Sequence, residues 1–289
     1  MSFELNRAAE VRAEAAAQSI RDLLGLGEDE VPAKIAIFFT TDLGEHVKWG
    51  EAGSKLINFS SIRGFEALTD LGRVKGHARQ ISLNTIGGNK IWRVNGRIHL
   101  NENPTNPGPV NAMVRLQIDM LCKLGVKIII LTSAVGSTTS AVRVGQIGVI
   151  QRFLSYGSSF TGCSGEFPMI EDALCPDLQN IALEEAEKFQ AVPVTHFFWP
   201  GPHVESPEQK RHMASMGAHI VGMSNQPEAD AAARQGAKVL GLGYVTNGYE
   251  HDHDQVIEAA DEHGPAWMAH LVRIVAYLDT SYYIEAHRL

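Results

Sequence analysis

Three polar side chains that could bind a ligand follow apolar, strand-like runs in the second half of the chain: Glu205, Ser224 and Asn247. The first run leads into Ser206-Pro207-Glu208-Gln209, which combines a Ser cap, a Pro at the first helical position and a Gln three residues after the cap. Asn225 with Glu228 repeats this design one unit later. Open α/β sheets bind ligands at the edge where strands end, so the carboxylate, hydroxyl and amide predict one shared site.

The elements that must position these side chains follow from apolar periodicity and turn residues. In the first half, helices are predicted at Ala8–Leu24 and Val110–Leu124, and buried parallel strands at Lys34–Phe39 and Lys127–Leu131. The last of these strands runs into a polar turn of small residues, Thr132 to Ser137. Residues Gln80 to Val94 predict a hairpin that turns at Gly87-Gly88-Asn89.

The second half predicts a helix at Asp177–Phe189, a strand at Val192–Trp199 and a helix at Gln255–Leu278. Gly264-Pro265 should break or kink the last helix, because proline removes a backbone donor. Tyr156 to Pro176 is a long irregular segment, and such segments are usually functional or form interfaces. No repeat or linker divides the sequence, so residues 1–289 are expected to form a single α/β domain.

Composition limits the classes of partner. The net charge of −8 and the pI near 5.8 argue against nucleic acid, whose phosphate backbone calls for a basic face. The longest apolar runs have strand length, so no membrane association is expected. Cys122, Cys163 and Cys175 form no Cys-x-x-Cys pair, and with no apolar signal segment near the start they indicate a cytoplasmic setting.

The motifs in their order resemble those of the trimeric purine nucleoside phosphorylases, a family that includes the methylthioadenosine phosphorylases. His77 and Gly96-Arg97-Ile98-His99 match the spacing of its phosphate-loop histidine and its Gly-Arg-Phe-His element. Gly201-Pro202-His203-Val204-Glu205 resembles its Gly-Pro-Ser-Phe-Glu motif. Its Val-Gly-Met-Ser stands intact at Val221 to Ser224, and its Thr-Asn is Thr246-Asn247. The resemblance runs from about Lys34 to Leu278 and implies a central mixed β-sheet flanked by helices.

The resemblance implies phosphorolysis of 6-oxopurine nucleosides, with phosphate as co-substrate and no metal or organic cofactor. The implied phosphate ligands are Thr41, His77, Arg97, His99, Ala134 and Ser224. Their chemistry suits an anion, because Arg97 offers a bidentate fork and the two histidines could follow the charge of phosphate near neutral pH. Thr41 and Ser224 offer hydroxyls, and the backbone of Ala134 could supply an amide from a turn.

For the nucleoside, the resemblance assigns the base to Val204, Glu205 and Asn247, and the sugar to Met223, His263 and Phe167. A buried carboxylate at Glu205 would accept the N1–H of the base, and Asn247 would hydrogen-bond N7 as charge develops on the leaving group. His99, Glu205 and Asn247 are therefore the expected catalytic residues. Phe167 would reach into the pocket of a neighbouring subunit of a homotrimer.

Two other functions remain open. One is a methylthioadenosine-type or other modified-nucleoside phosphorylase, although that branch typically has Asp where this chain has Asn247. The other is a non-catalytic purine-sensing paralogue, which departures from the family pattern suggest. Asp42 stands in the phosphate turn, Val204 replaces an aromatic residue, and Asn101 replaces a tyrosine on the sugar side. Ser133 and Ser137 also replace the family's Asn and Gly.

Several residues have simpler readings. Arg97 and His99 could belong to an exposed strand end, Glu205 to a favourable charge at a helix start, and Asn247-Gly248 to an ordinary turn. His251-Asp252-His253-Asp254 suggests a metal site, but without a third ligand nearby a solvated loop is favoured. Gly241-Leu242-Gly243 lacks the third glycine and the helix of a dinucleotide fingerprint and is discarded.

Overall fold

The computed structural model of the chain describes residues 2–40, 55–70, 77–103, 105–156, 173–184, 186–249 and 255–278. Within these ranges the strands are β1 Ile35–Phe39, β2 Ile57–Asn58, β3 Gln80–Ile86, β4 Asn89–Asn95, β5 Ile128–Ser137, β6 Ile147–Leu154, β7 Ala191–Phe198, β8 Ile220–Gly222 and β9 Lys238–Asn247. The α-helices are α1 Ser2–Leu24, α2 Pro107–Lys123, α3 Pro176–Leu183, α4 Ala186–Phe189, α5 Pro207–Ser215, α6 Gln226–Arg234 and α7 Gln255–Tyr277.

All the described strands belong to one mixed sheet of order β2-β3-β4-β1-β5-β8-β7-β6-β9, in which β5 also pairs with β9. That extra pairing closes β5, β8, β7, β6 and β9 into a ring of five strands. β5 and β9 run parallel to each other, whereas β8 is antiparallel to β5 and β6 is antiparallel to β9. The predicted α/β fold, with a central mixed sheet flanked by helices, is confirmed.

The apolar strands near the middle of the sheet are buried on both faces. In β1, Ala36 and Phe38 face a core shared with α1, α2 and α6, while Ile35, Ile37 and Phe39 face a second core shared with α3 and α7. Continuous apolar runs such as Ile35–Phe39 and Ile128–Leu131 are what two-sided burial requires. The sheet therefore forms a middle layer between two sets of helices.

The prediction of a turn at residues 132–137 is wrong, because β5 continues to Ser137. The small residues stay extended because β9 pairs with them from Thr132 to Gly136 and β8 pairs with the last two. The expectation that three strands end at one edge is also wrong, because β7 and β8 run opposite to β9. The short β8 instead brings its following residues alongside β5.

Two helix predictions need correction. The break predicted at Gly264-Pro265 is wrong, because α7 continues through Pro265, whereas the alternative of a kink stays a prediction. Trp267 and Leu271 lie on its buried face, and their packing against the sheet outweighs the loss of one backbone hydrogen bond. The helix predicted at Asp177–Phe189 is divided into α3 and α4, with Glu184 at the end of the first. Among the described helices, none is long and apolar enough to cross a membrane.

The hairpin of β3 and β4 turns at Gly87 and Gly88, as predicted, and both glycines have positive φ, 55° and 84°. A Cβ on Gly87 would lie 2.8 Å from the backbone nitrogen of Ala276 in α7, whereas a Cβ on Gly88 would meet nothing within 4 Å. The two positions share one turn and differ in what surrounds them. Position 87 needs a glycine because the turn approaches the backbone of α7 there, whereas position 88 has free space around it.

We therefore expect Gly87→Ala to lower the free energy of unfolding by about 1–3 kcal/mol more than Gly88→Ala, because both variants strain φ but only the first overpacks against helix backbone. Urea unfolding of the two variants measures this difference. Equal losses in both variants would contradict the close approach of the turn to α7.

Candidate active site

The histidine and arginine motifs meet at the end of β4. Gly96 follows this strand with a φ of 77°, and its Cβ position would lie 2.6 Å from the Cα of His77, so only glycine allows the two segments to approach. The backbone N–H of Arg97 donates to Nδ1 of His77 over 2.9 Å. The rings of His77 and His99 then meet edge to face, with centroids 4.6 Å apart. The structure thus brings together three of the predicted phosphate ligands.

The guanidinium of Arg97 is held by protein groups. Its side chain is 1% exposed, and Nη1 donates to Oδ1 of Asn225 over 3.0 Å and to Oε1 of Glu228 over 3.2 Å. Nη2 donates to the carbonyl oxygen of Thr132. Among the described residues, no hydrogen bond uses the Nε–H or the second Nη2 hydrogen of Arg97, so these are the donors that remain for an anion.

Asn225 links this arginine to β5. It is fully buried with a φ of 74°, and its Nδ2 donates to Oγ of Ser133 over 2.9 Å while its Oδ1 accepts from Arg97. The prediction that Asn225 caps α6 is therefore wrong, because its side chain makes no capping hydrogen bond. Since Ser224 precedes Asn225 and Ala134 follows Ser133, the same link brings both of these predicted phosphate ligands near Arg97.

Glu102 holds the backbone on the histidine side. Its Oε1 accepts from the backbone N–H of His99 over 3.0 Å, and its Oε2 accepts from Nη2 of Arg79 over 2.5 Å. Burial raises the pKa of Glu102 to about 7, against the lowering effects of the His99 N–H and Arg79. The sequence interpretation overlooked Glu102, although a glutamate three residues after His99 is the spacing of a helix-start motif.

Both histidines are neutral near physiological pH. Burial lowers the pKa of His77 to about 2, with contributions from the neighbouring His99, Arg97 and Arg79. Burial and the same two arginines lower the pKa of His99 to about 3. The expectation that these rings titrate near neutral pH is thus wrong for the protein alone. Because Nδ1 of His77 accepts a hydrogen bond, its neutral ring carries the proton on Nε2, where it can serve as a donor.

The residues assigned to the sugar lie partly together. Nδ2 of Asn101 is 3.4 Å from Sδ of Met223, and both groups crowd the Cβ position of Gly201, at 2.5 and 2.6 Å. Gly201, with a φ of 70°, therefore lets the loop that carries Val204 approach Met223. His263 packs elsewhere, against Trp267 with ring centroids 5.7 Å apart and against Gly145. Its role at the sugar stays a prediction.

The residues assigned to the base come from two elements that are tied together. Asn247 ends β9, is 6% exposed and pairs with Gly136 of β5. Glu205 directly precedes Ser206, the capping residue of α5, and the predicted capping box is confirmed by reciprocal bonds between Ser206 and Gln209. Glu205 is half-buried rather than buried, and Val204 is 37% exposed.

Lys210, a residue that the sequence interpretation also overlooked, ties these two elements. It lies on α5, and its Nζ donates to the carbonyl of Gly248 over 3.0 Å, which joins α5 to the end of β9. Its position five residues after the predicted base ligand Glu205 was the only signal in the sequence.

Several predicted residues lie outside the described ranges. They are Thr41, Asp42, Cys163, Phe167 and the segment 251–254. Among the described residues, no group of three or more His, Cys, Asp or Glu is placed to hold a metal ion.

The neutral state of His99 makes stability depend on pH. The pKa of this ring falls from an ordinary 6.5 to about 3 on folding, so between these values the unfolded chain binds a proton that the folded protein does not. Its stabilising contribution is complete above pH 6.5 and is lost as the pH falls towards 3. This single group contributes a slope of up to about 1.4 kcal/mol per pH unit.

We expect His99→Asn to reduce the loss of unfolding free energy between pH 6.5 and about pH 5, measured by urea unfolding. The same change at the exposed His212 is the matched control and should leave the slope unchanged. Glu102 contributes with the opposite sign between pH 4.5 and about 7 but is present in both proteins. Identical slopes in wild type and His99→Asn would contradict the neutral, buried ring.

Comparisons with known proteins identify the family of the chain. The family model described as "Phosphorylase superfamily" matches residues 53–278. The chain is 30% identical over 232 residues to purine nucleoside phosphorylase of Mycobacterium tuberculosis, which covers 80% of this chain and 81% of the relative. It is 27% identical over 219 residues to purine nucleoside phosphorylase 1 of Bacillus subtilis, which covers 70% of this chain and 79% of that protein.

Solved structures share the fold. Isoform 2 of purine nucleoside phosphorylase from Schistosoma mansoni, in complex with cytosine and ribose-1-phosphate, superposes with a TM-score of 0.76 at 24% identity and covers 92% of this chain and 96% of its own. A Schistosoma mansoni purine nucleoside phosphorylase in complex with inosine gives a TM-score of 0.74 at 22% identity, covering 92% of this chain and 95% of its own. With more than half of its length matched by the superfamily model, the chain belongs to the phosphorylase superfamily, as a member of its purine nucleoside phosphorylase family.

Proposed function

We propose that the protein is a pentosyltransferase that cleaves 6-oxopurine nucleosides with inorganic phosphate, giving the free base and a pentose 1-phosphate. The observation that carries the proposal is the convergence on β5. Arg97 donates to Thr132 of β5, and Asn225 donates to Ser133 of the same strand. Asn247 of β9 pairs with Gly136, which also belongs to β5. Donors suited to an anion and an amide suited to a purine thus contact one strand, β5, at positions a few residues apart.

The phosphate would bind to Arg97, His77, His99, Ser224 and the backbone at Ala134, with Thr41 as a further predicted ligand. The remaining N–H groups of the Arg97 guanidinium supply charge-assisted donors, and the buried position of the arginine strengthens them by excluding water. Neutral histidines can donate to phosphate oxygens without adding a second positive charge beside Arg97. This set favours an oxyanion of high charge, and phosphate fits it.

In the reaction, a phosphate oxygen attacks the anomeric carbon of the sugar while the bond from that carbon to N9 breaks, and the bonding electrons pass to the purine. The transition state has oxocarbenium character, so placement and electrostatics do most of the work. Glu205 would accept the N1–H of the base, and Asn247 would hydrogen-bond N7 as negative charge develops there. Met223 would lie beneath the sugar, where Asn101 and Gly201 hold its sulfur.

The proposal includes phosphate as co-substrate and no metal or organic cofactor, with neither nucleic acid nor membrane as a partner. A cytoplasmic homotrimer, in which Phe167 reaches a neighbouring pocket and His263 serves the sugar, is the assembly that the family resemblance favours. The departures at Asp42, Val204 and Asn101 concern substrate preference and turnover more than the reaction class. No described contact favours the purine-sensing alternative over catalysis.

The direct test is incubation with inosine and guanosine, with and without phosphate, followed by chromatography of the free base. We expect release of base that requires phosphate, together with formation of pentose 1-phosphate. Absence of phosphate-dependent release from any purine nucleoside would refute the proposed function.

A second test addresses the base. We expect Glu205→Ala to lower kcat/KM for inosine by at least about tenfold, because a hydrogen bond to a charged group contributes roughly 1.5–3 kcal/mol. Glu208→Ala is the matched control three residues away, in the first turn of α5, where the side chain is 74% exposed and pairs with Arg211. It should leave kcat/KM unchanged, and equal effects of the two changes would remove Glu205 from the base site.

A further inference from the structure

Lys210 is a buried charge on a polar helix. Its side chain is almost fully enclosed, with the residue only 2% exposed, although α5 is otherwise rich in exposed polar residues. Lysine is among the residues least often fully buried, because removing an ammonium group from water costs several kcal/mol unless polar groups surround it. A lysine that is buried in spite of this cost, with its ammonium held at a specific position, is a candidate for a functional role.

The ammonium lies beside the predicted base ligand of β9. Nζ donates to the carbonyl oxygen of Gly248, the residue that follows Asn247. The ideal Cβ position of Gly136 would lie 3.4 Å from this Nζ and 3.0 Å from Nδ2 of Asn247. The ammonium and the amide therefore both lie close to Gly136 of β5, which has no side chain of its own.

Local structure fixes Lys210 in this position. The capping box of Ser206 and Gln209 sets the start of α5 directly after Glu205, and the backbone N–H of Lys210 donates to the carbonyl of Ser206 over 3.0 Å. Lys210 therefore stands in the turn that follows the capping residue, five positions after Glu205. The same helix start thus positions Glu205 and Lys210 together, and the Lys210 ammonium contacts the end of β9.

We propose that Lys210 is a specificity-determining residue that favours 6-oxopurines, a refinement that rests on the proposed function. An ammonium near Asn247 would meet the O6 acceptor of a 6-oxopurine favourably, whereas the 6-amino group of an adenine would present it with a donor. The cation would also stabilise negative charge on the departing base, which is greatest in the transition state. Glu205 and Lys210 would then read N1–H and O6 as a donor–acceptor pair.

A purely structural role predicts a different result. If Lys210 only fastens α5 to the end of β9, its loss disturbs Glu205 and Asn247 together and lowers activity with every nucleoside. A role in specificity lowers activity with oxopurines selectively. The ratio of kcat/KM for inosine to that for adenosine separates the two roles, because a general loss of structure leaves the ratio unchanged.

The experiment compares wild type with Lys210→Met, which is unbranched, uncharged and one atom shorter, and with Lys210→Arg, which keeps the charge. Arg211→Met is the matched control, because it makes the same kind of change on the same helix at an exposed side chain that pairs with Glu208. We expect Lys210→Met to lower the inosine-to-adenosine ratio by about tenfold or more. Lys210→Arg should retain most of the ratio, and Arg211→Met should not change it.

Calorimetric titration with hypoxanthine and adenine extends the test to variants without turnover, and Lys210→Gln replaces the Met variant if the latter does not fold. Loss of hypoxanthine affinity with adenine affinity unchanged supports the proposal. Parallel losses for both bases, or no change for either, overturn it. Absence of turnover in wild type would refute the phosphorylase function separately, while the ratio of base affinities would still decide the role of Lys210.

Discussion

The pairing of β5 with β9 is the constraint on which the site depends. It keeps Thr132 to Gly136 extended, so that successive positions of one strand meet Arg97, Asn225 and Asn247. A turn at these residues would have exposed backbone groups without aligning them. Side chains alternate between the two faces of a strand, and the hydrogen-bond ladder fixes its register. Backbone geometry therefore sets the separation between the proposed phosphate ligands and the proposed base ligands. The loops then contribute side chains to positions that the pairing of β5 and β9 has fixed.

Buried charged groups beside this strand are held by ion pairs and hydrogen bonds to one another. Arg97 depends on Glu228 and Asn225, and Glu102 depends on Arg79 and the backbone of His99. Burial lowers the pKa of Arg97 and the Glu228 carboxylate opposes that effect, so the arginine keeps a partner in the protein itself. Removing one member of such a pair leaves an uncompensated charge, which is more damaging than losing the pair altogether. The arrangement keeps donors oriented without relying on a ligand.

Much of the fold could be predicted from the sequence, because long apolar periods and glycine turns are strong local signals. The hairpin at Gly87-Gly88, the buried strand before Thr40 and the capping box of α5 are in that class. The strand character of Thr132 to Ser137 could not be predicted, because small polar residues favour turns locally and only pairing with distant β8 and β9 overrides this. Asn225 and Lys210 were missed as site residues for the same reason: their partners are remote in sequence.

Ring closure has a consequence for how the molecule meets other copies of itself. A strand at the margin of a sheet offers unpaired N–H and C=O groups to any passing chain, which is a route to fibrils and irregular oligomers. In the part of the chain that the structure describes, β5 to β9 are joined into a ring, and the sheet ends at β2, which is only two residues long. The described strands beside the candidate site therefore offer little template for β-pairing between molecules.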